Sequence, residues 1–162
     1  MKPWNKRAPE VAYLLNPAFC GEVLRRTLGE HLTIANQPMA YPLIFLILPL
    51  VLHKGTRQLI DGRTQQLHTW LQSHPEVKVD FAERTRRLAP VSRESLLFLQ
   101  QVGAVTIDED ARIVLTPFLP RTLRQQRTGE IAECYKKALV VGRWFARAGL
   151  PETVFTILGV TP

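Results

Sequence analysis

The side chains best suited to act as nucleophiles or metal ligands are two cysteines and four histidines among 162 residues. His68 and His74 are six positions apart and do not share one helix face well, and neither cysteine has a second cysteine at the spacing of a zinc site. Cys20 lies in the apolar stretch FCG, where a thiol is usually inert packing. These residues therefore predict no metal centre, and two cysteines do not make a disulfide framework.

The motifs that bind phosphates or activate a serine are absent from the sequence. There is no GxxxxGK[ST] loop for ATP and no GxSxG elbow for a nucleophilic serine. The acidic triplet at 108–110 sits at the tip of a predicted hairpin, where a solvated turn is favoured over a cation site. The sequence predicts a protein that is not an enzyme and has no cofactor, and chemistry at Cys20 is a distant alternative.

Charge is a stronger functional signal, because 21 basic residues against 14 acidic ones give a net charge of +7. Fifteen of the basic residues are arginines, which suit bidentate contacts with phosphate and carboxylate groups. The candidate binding residues bracket the segment 92–116 and are Arg84, Arg86, Arg87, Arg93, Arg121, Arg124 and Arg127. The pattern predicts an anionic partner, either nucleic acid or an acidic protein surface, with a merely solvated basic surface as the alternative.

The second signal is YPLIFLILPLVL at 41–52, twelve uncharged residues followed by a basic turn. A membrane-spanning helix needs roughly 20 apolar residues, so this run favours a buried helix with part of its surface open to a partner. Trp144 and Phe145, flanked by arginines, have the composition of an interface anchor. The candidate interface residues, for which simple core packing is the alternative, are Leu46, Leu50, His53, Trp144 and Phe145.

The periodicity predicts a mainly α protein of the α+β class. We expect a first helix from residue 17, followed by a loop at 33–41. Further helices are expected at about 43–60, 64–73, 77–88, 92–102 and 130–148, and a short helix is expected in the tail. Pro49 should kink or restart the second helix, and Ser92 should cap the fifth. A hairpin is expected at 104–107 and 112–116, so the helix and hairpin near 92–116 resemble part of a winged helix-turn-helix.

Residues 1–13 read as an arm and 14–162 as a single domain. The N-terminus has charge but no apolar segment behind it, so it does not predict a signal peptide, and we expect a cytoplasmic protein.

Five segments in order resemble one known family over residues 16–162. They are NPAFC (16–20), PLIFLILPLVLHKGTR (42–57), LHTWLQSHPEVKVDFAERTRRLAP (67–90), SRESLLFLQQVGAVTIDEDARIVL (92–115) and GRWFARAG (142–149). Together they resemble the middle component of bacterial three-component ABC-ATPase systems, the group that includes Lamassu-type defence. The segment before Tyr13 is not part of the resemblance.

The resemblance implies a non-catalytic adaptor that joins an SMC- or Rad50-like ATPase to an effector, often a nuclease. It also implies that the adaptor helps to hold the effector inactive until foreign DNA is sensed. The resemblance supplies no catalytic residues. Two other functions stay open: a free winged-helix DNA-binding regulator, and a peripheral membrane protein that uses residues 41–52.

Overall fold

The computed structural model describes residues 15–117 and 128–161, so the predicted arm and most of the basic connector after the hairpin lie outside the described residues. The elements in chain order are α1 (Pro17–Ala35), β1 (Met39–Ala40), α2 (Ile44–Val51), α3 (Lys54–Leu59), α4 (Leu67–Ser73), α5 (Phe81–Gln101), β2 (Val105–Ile107), β3 (Arg112–Leu115), α6 (Gly129–Ala148) and α7 (Pro151–Leu158). Short 3-10 turns at Tyr41–Leu43 and Pro75–Lys78 precede α2 and α5.

The architecture confirms a mainly α protein with a small antiparallel sheet, whose strand order is β1-β3-β2. The predicted hairpin is confirmed, with Thr106 opposite Val114. Its turn is closed by the Asp108 carboxylate, which accepts hydrogen bonds from the backbone amides of Asp110 and Arg112. The two-residue strand β1 was not predicted, because two residues carry too little pattern to be recognised.

The first helix begins where the sequence predicts. The Asn16 side chain accepts a hydrogen bond from the Ala18 amide at 2.8 Å, and Pro17 occupies the first helical position. The helix continues through Ala35, beyond the predicted start of the loop, and ends at Asn36 in the left-handed conformation with φ of 53°. Asparagine tolerates that conformation better than most residues do.

The prediction of two helices at 77–88 and 92–102 is wrong, since α5 is continuous from Phe81 to Gln101. Ser92 does not cap a helix: it is fully buried in the middle of α5. Pro90 removes one helical hydrogen bond, but the buried residues of α5 follow a single stripe on both sides of it. That stripe comprises Phe81, Thr85, Ser92, Ser95 and Leu99.

The apolar run forms α2 and a separate α3 in place of one long helix. The helix passes through Pro49 without ending, and the break comes at Leu52 and His53. The fourth helix begins at Leu67, three residues later than predicted. The last two helices are confirmed, and Gly149 separates them with φ of +80°.

Among the described helices, α1 and α6 make the most extensive contact, and they pack along each other in the core. The Thr27 hydroxyl lies 3.0 Å from the Val23 carbonyl on its own helix and 3.2 Å from the Ala138 carbonyl on α6. Gly142 is the contact point, because a Cβ at this position would lie only 2.5 Å from the Thr27 carbonyl oxygen. The two backbones can approach this closely only because residue 142 has no side chain.

A buried arginine joins three helices. Arg57 on α3 is 2 % exposed, and its Nη1 donates to the carbonyls of Val51 and Leu52 at the end of α2 at 3.1 and 3.0 Å. The other side of the guanidinium pairs with Glu130 and Glu133 on α6. Arg57 therefore satisfies the last carbonyls of one helix and holds that end against another.

Two tryptophans close the same core. The rings of Trp70 on α4 and Trp144 on α6 lie 4.6 Å apart between centroids. Their indole N–H groups donate to the carbonyls of Leu59 and Thr64, at 2.9 and 2.8 Å respectively. The connection between α3 and α4 is thus fixed at both ends by buried side chains.

Candidate partner interface

The seven candidate arginines fall into three groups. Arg121, Arg124 and Arg127 lie outside the described residues. Arg84 is built into the fold. It donates to the Thr56 hydroxyl at 3.0 Å and to the Val77 carbonyl at 2.8 Å, and burial lowers the pKa of its guanidinium. Arg86, Arg87 and Arg93 are exposed along α5, so a partner can reach these three of the four described arginines of the set.

Arg86 and Arg87 share one carboxylate. Glu83 accepts from Arg87 Nε at 2.8 Å and lies 3.3 Å from Arg86 Nη1, while both arginine side chains are about three-quarters exposed. Ion pairs this exposed contribute little to stability. Both guanidinium groups are therefore available to a second anion.

Arg93 is held by an aromatic ring. Its guanidinium carbon lies 5.3 Å from the ring centroid of Phe45, which in turn meets Tyr41 edge to face at 5.5 Å. No Asp or Glu among residues 15–117 and 128–161 lies within ion-pair distance of Arg93. The cation rests on an apolar platform with its charge directed at no acid of the described chain.

These side chains border an open groove with a volume of about 640 Å³, called here the α5–α7 groove. One wall is the α5 face that carries Ala82, Thr85, Arg86, Ala89 and Arg93. The opposite side is formed by Tyr41, Pro42, Phe45, Phe155, Gly159, Val160 and Thr161. The lining is mostly apolar, its charged groups are both arginines, and it contains no carboxylate. A groove of this kind has the size and composition of a binding site.

The candidate apolar anchors are placed in the core. Leu46, Leu50, Trp144 and Phe145 are at most 1 % exposed, so core packing, the alternative left open by the sequence, describes these side chains. The neighbouring Arg143 pairs with Glu30 on α1 at 2.8 Å. The surface that this chain offers to a partner therefore does not include these four side chains.

His53, the fifth candidate, is exposed and caps α3. Its Nδ1 accepts from the Thr56 amide at 3.2 Å and lies 2.9 Å from the Thr56 hydroxyl. Burial of the ring, together with nearby Arg84 and Arg57, lowers the pKa of His53 below its ordinary value. A cavity of about 610 Å³ adjoins it, lined by apolar residues and by residues of both charges that include Asp80, Glu83 and Arg84. His53 is thus a neutral helix cap at neutral pH.

Neither cysteine is placed for nucleophilic chemistry. Cys20 is fully buried, and burial raises the pKa of its thiol to about 12. Cys134 is buried as well, and burial raises its pKa. No group of three or more His, Cys, Asp or Glu side chains among the described residues could hold a metal ion.

We expect both thiols of the folded protein to resist alkylation. At about pH 8, iodoacetamide should modify Cys20 and Cys134 roughly 100-fold more slowly in the native state than in guanidinium, because the thiolate is the reactive form and both sulfurs are buried. Mass spectrometry of timed samples measures the rate at each cysteine. Equal rates in the native and denatured protein would contradict the burial of these residues.

The comparison with protein families decides the identity. The family described as ABC-three component (ABC-3C) system Middle Component 3 matches residues 4–162. The chain belongs to this family. The match to the middle component begins at Trp4, so it corrects the expectation that the segment before Tyr13 stands outside the resemblance. No curated protein and no solved structure matches the chain significantly.

The groove of this middle component could not be seen in the sequence. On its α5 wall, Thr85, Arg86 and Ala89 follow Ala82 by three, four and seven positions, and Arg93 follows Ala89 by four. This helical spacing is recognisable only if α5 is read as one continuous helix. The predicted break at Ser92 interrupted that spacing. The other wall brings together Phe45 from the apolar run at 41–52 and Phe155 from the tail, which are 110 positions apart.

The middle component has, among its described residues, no helix that is both long and apolar enough to span a membrane. The apolar helix α2 has eight residues, seven of them buried. Burial in the core thus explains why this segment of the sequence is apolar.

Proposed function

We propose that this middle component is a non-catalytic adaptor in a cytoplasmic, Lamassu-like defence complex. In this proposal it acts as one domain over residues 14–162 and joins an SMC- or Rad50-like ABC ATPase to an effector, a nuclease. It holds the effector inactive until the complex senses foreign DNA. The observation that carries the proposal is the α5–α7 groove, an apolar surface with a cationic edge on a member of a multi-component family.

The rest of the structure supports an adaptor. His53 and Arg84, which line the 610 Å³ cavity, are engaged in capping and in holding α3 against α5. The exposed arginines at the edge of the groove are available to an anionic partner.

The test is purification of the complex from its own locus with its neighbouring genes, followed by native mass spectrometry. We expect the middle component in a defined assembly with a large ATPase. Arg86→Glu combined with Arg93→Glu should reduce the recovered ATPase or effector by roughly tenfold, because reversed charge repels an acidic surface. Thermal unfolding should be nearly unchanged, since Arg86 is exposed and Arg93 loses only a contact with the Phe45 ring at an exposed position.

Arg63→Glu is the control, because Arg63 is exposed in the connection between α3 and α4 and its reversal changes the charge by the same amount as either groove substitution alone. Its complex should be recovered at the wild-type level. Recovery of the chain alone from the native locus would contradict the adaptor function. Equal recovery of the double variant and the wild type would exclude Arg86 and Arg93 from the interface.

One observation favours a second candidate, a winged-helix DNA-binding regulator. β1 lies between α1 and α2 along the chain and pairs with β3, and the hairpin follows a helix directly, as in a winged helix, although four helices separate β1 from the hairpin in place of two. The hairpin tip, however, is acidic at Asp108, Glu109 and Asp110, and this disfavours contact with phosphates. Tight, sequence-selective and salt-dependent DNA binding by the purified chain alone would support this candidate over the adaptor.

A further inference from the structure

We propose that the α5–α7 groove receives an acidic segment of another subunit, with an apolar side chain in the groove and carboxylates on Arg86 and Arg93. This inference rests on the proposed adaptor function and names the chemistry of its partner. Three features of the described residues carry it: the shape of the groove, the placement of its two cations, and the charge of the competing occupants.

The shape comes from small residues on one wall and aromatic residues on the other. Ala82 and Ala89 lie seven positions apart on α5, so their short side chains fall on one face two turns apart. Phe45 and Phe155 lie across from them. An apolar side chain from a partner would be enclosed between the alanines and the rings, which is the environment of a binding hot spot.

The two cations alternate with the alanines along the helix, so that Arg86 and Arg93 flank Ala89. Arg86 and Arg93 are also seven positions apart, which separates them by about 10 Å along the helix axis. Carboxylates two helical turns apart, or three residues apart in an extended segment, match this spacing. The groove itself contributes no carboxylate to either arginine.

Neither arginine loses a strong interaction when an acid arrives. Arg93 contacts the Phe45 ring, and this contact leaves the guanidinium N–H groups free to donate. Arg86 shares Glu83 with Arg87, and Glu83 keeps its 2.8 Å contact with Arg87 if Arg86 turns to a partner. A bound acidic segment would therefore add ion pairs at the edge of an apolar contact.

The chain has no acidic segment of its own to fill the groove from outside the described residues. Residues 1–14 carry Lys2, Lys6 and Arg7 against Glu10, and residues 118–127 carry three arginines and no acid. A second copy carries the same net charge of +7, and its one run of consecutive acids is the closed hairpin turn at 108–110, where the Asp108 carboxylate already accepts two backbone amides. The two segments of this chain would bring like charge to the arginines, and the second copy offers a closed turn in place of a helical or extended acidic segment, so a different, acidic chain is the favoured occupant.

The experiment is site-specific photo-crosslinking within the complex purified from its own locus. Benzoylphenylalanine is placed at Thr161, an exposed position on the edge of the groove, and in a separate sample at Gln72, an exposed control position on α4. We expect Thr161 to cross-link to a peptide of another subunit that has at least two acidic residues around an apolar one. Gln72 should not cross-link to that peptide.

Other cross-links would overturn the inference. These are attachment of Thr161 to residues 1–14 or 118–127 of the same chain, to a second copy, to nucleic acid, to a basic peptide, or to nothing. If the mass of the complex is intact in such a sample, the adaptor function survives and the groove assignment fails. If no complex is recovered at all, both fail.

A binding measurement checks the chemistry with a defined probe. The cross-linked peptide is synthesised with a fluorescent label and titrated with the purified chain. Arg86→Ala with Arg93→Ala should weaken binding by roughly tenfold or more and reduce its salt dependence, whereas Arg63→Ala should leave both unchanged. Ala89→Trp, which fills the groove without changing charge, should weaken binding to a similar extent at any salt concentration.

Unchanged affinity in either groove variant would overturn the inference. Thermal unfolding of each variant separates a blocked groove from a damaged fold. If Ala89→Trp unfolds, Ala82→Leu provides a second way to fill the groove on the same wall.

Discussion

Gly142→Ala is expected to lower the free energy of unfolding by about 2 kcal/mol, although alanine is the better helix former by about 1 kcal/mol. The added Cβ would lie 2.5 Å from the Thr27 carbonyl oxygen and 3.0 Å from the Glu30 Cβ. The first of these is a backbone atom, so no change of rotamer relieves the overlap, and α1 and α6 have to separate. Urea unfolding followed by circular dichroism measures the loss.

Gly29→Ala is the matched control on the partner helix. Its Cβ would meet the Leu115 Cδ1 at 3.7 Å, an ordinary van der Waals contact. The same substitution should therefore stabilise the protein by about 0.5–1 kcal/mol through helix propensity alone. If both variants shift stability in the same direction, the close approach of α1 and α6 at Gly142 is not the determining factor.

Arg57→Met is expected to cost about 3 kcal/mol in the free energy of unfolding. The methionine fills part of the space, but the buried Val51 carbonyl and the partly buried Leu52 carbonyl both lose the guanidinium donor. The Val51 carbonyl keeps only a weak contact with the Cys134 thiol at 3.9 Å. Glu130 and Glu133 are partly exposed and can turn to water, so the two carbonyls account for most of the loss. The same urea titration applies, repeated at low and high salt.

Glu130→Gln tests the other side of this interaction. Because the Glu130 side chain is 65 % exposed, its loss should cost less than about 1 kcal/mol and should be masked by salt. The Arg57→Met loss should persist at high salt, because hydrogen bonds to buried carbonyls are not screened. A small, salt-dependent effect for both variants would show that Arg57 acts as an ordinary surface ion pair.

Some of this fold is readable from short stretches of sequence. The start of α1 at Asn16-Pro17 and the hairpin around residues 108–110 depend on capping and turn chemistry within a few residues. The helix α6 follows from its own periodicity. In each case the determining interactions are local, so the sequence alone predicts them.

Other features depend on contacts that no local pattern reveals. Pro90 and Ser92 locally favour a helix end and a cap, but burial of one continuous stripe along α5 outweighs both signals. In the sequence, Arg57 resembles a surface cation in a short basic turn, and only the fold brings the end of α2 and two carboxylates of α6 around it. The α5–α7 groove likewise cannot be predicted from a local pattern, because its walls come from three distant segments.

The pairing of α1 with α6 has a consequence for how the protein is made. The donor Thr27 and the acceptor Ala138 are 111 positions apart, and Arg57 and Glu133 are 76 apart. During synthesis, α1 and the apolar α2 are made well before α6, and only α5 is available earlier to cover part of their surface. The nascent chain therefore carries an uncovered apolar face until residues 129–148 emerge, and this late completion of the core favours chaperone protection or early assembly with other subunits.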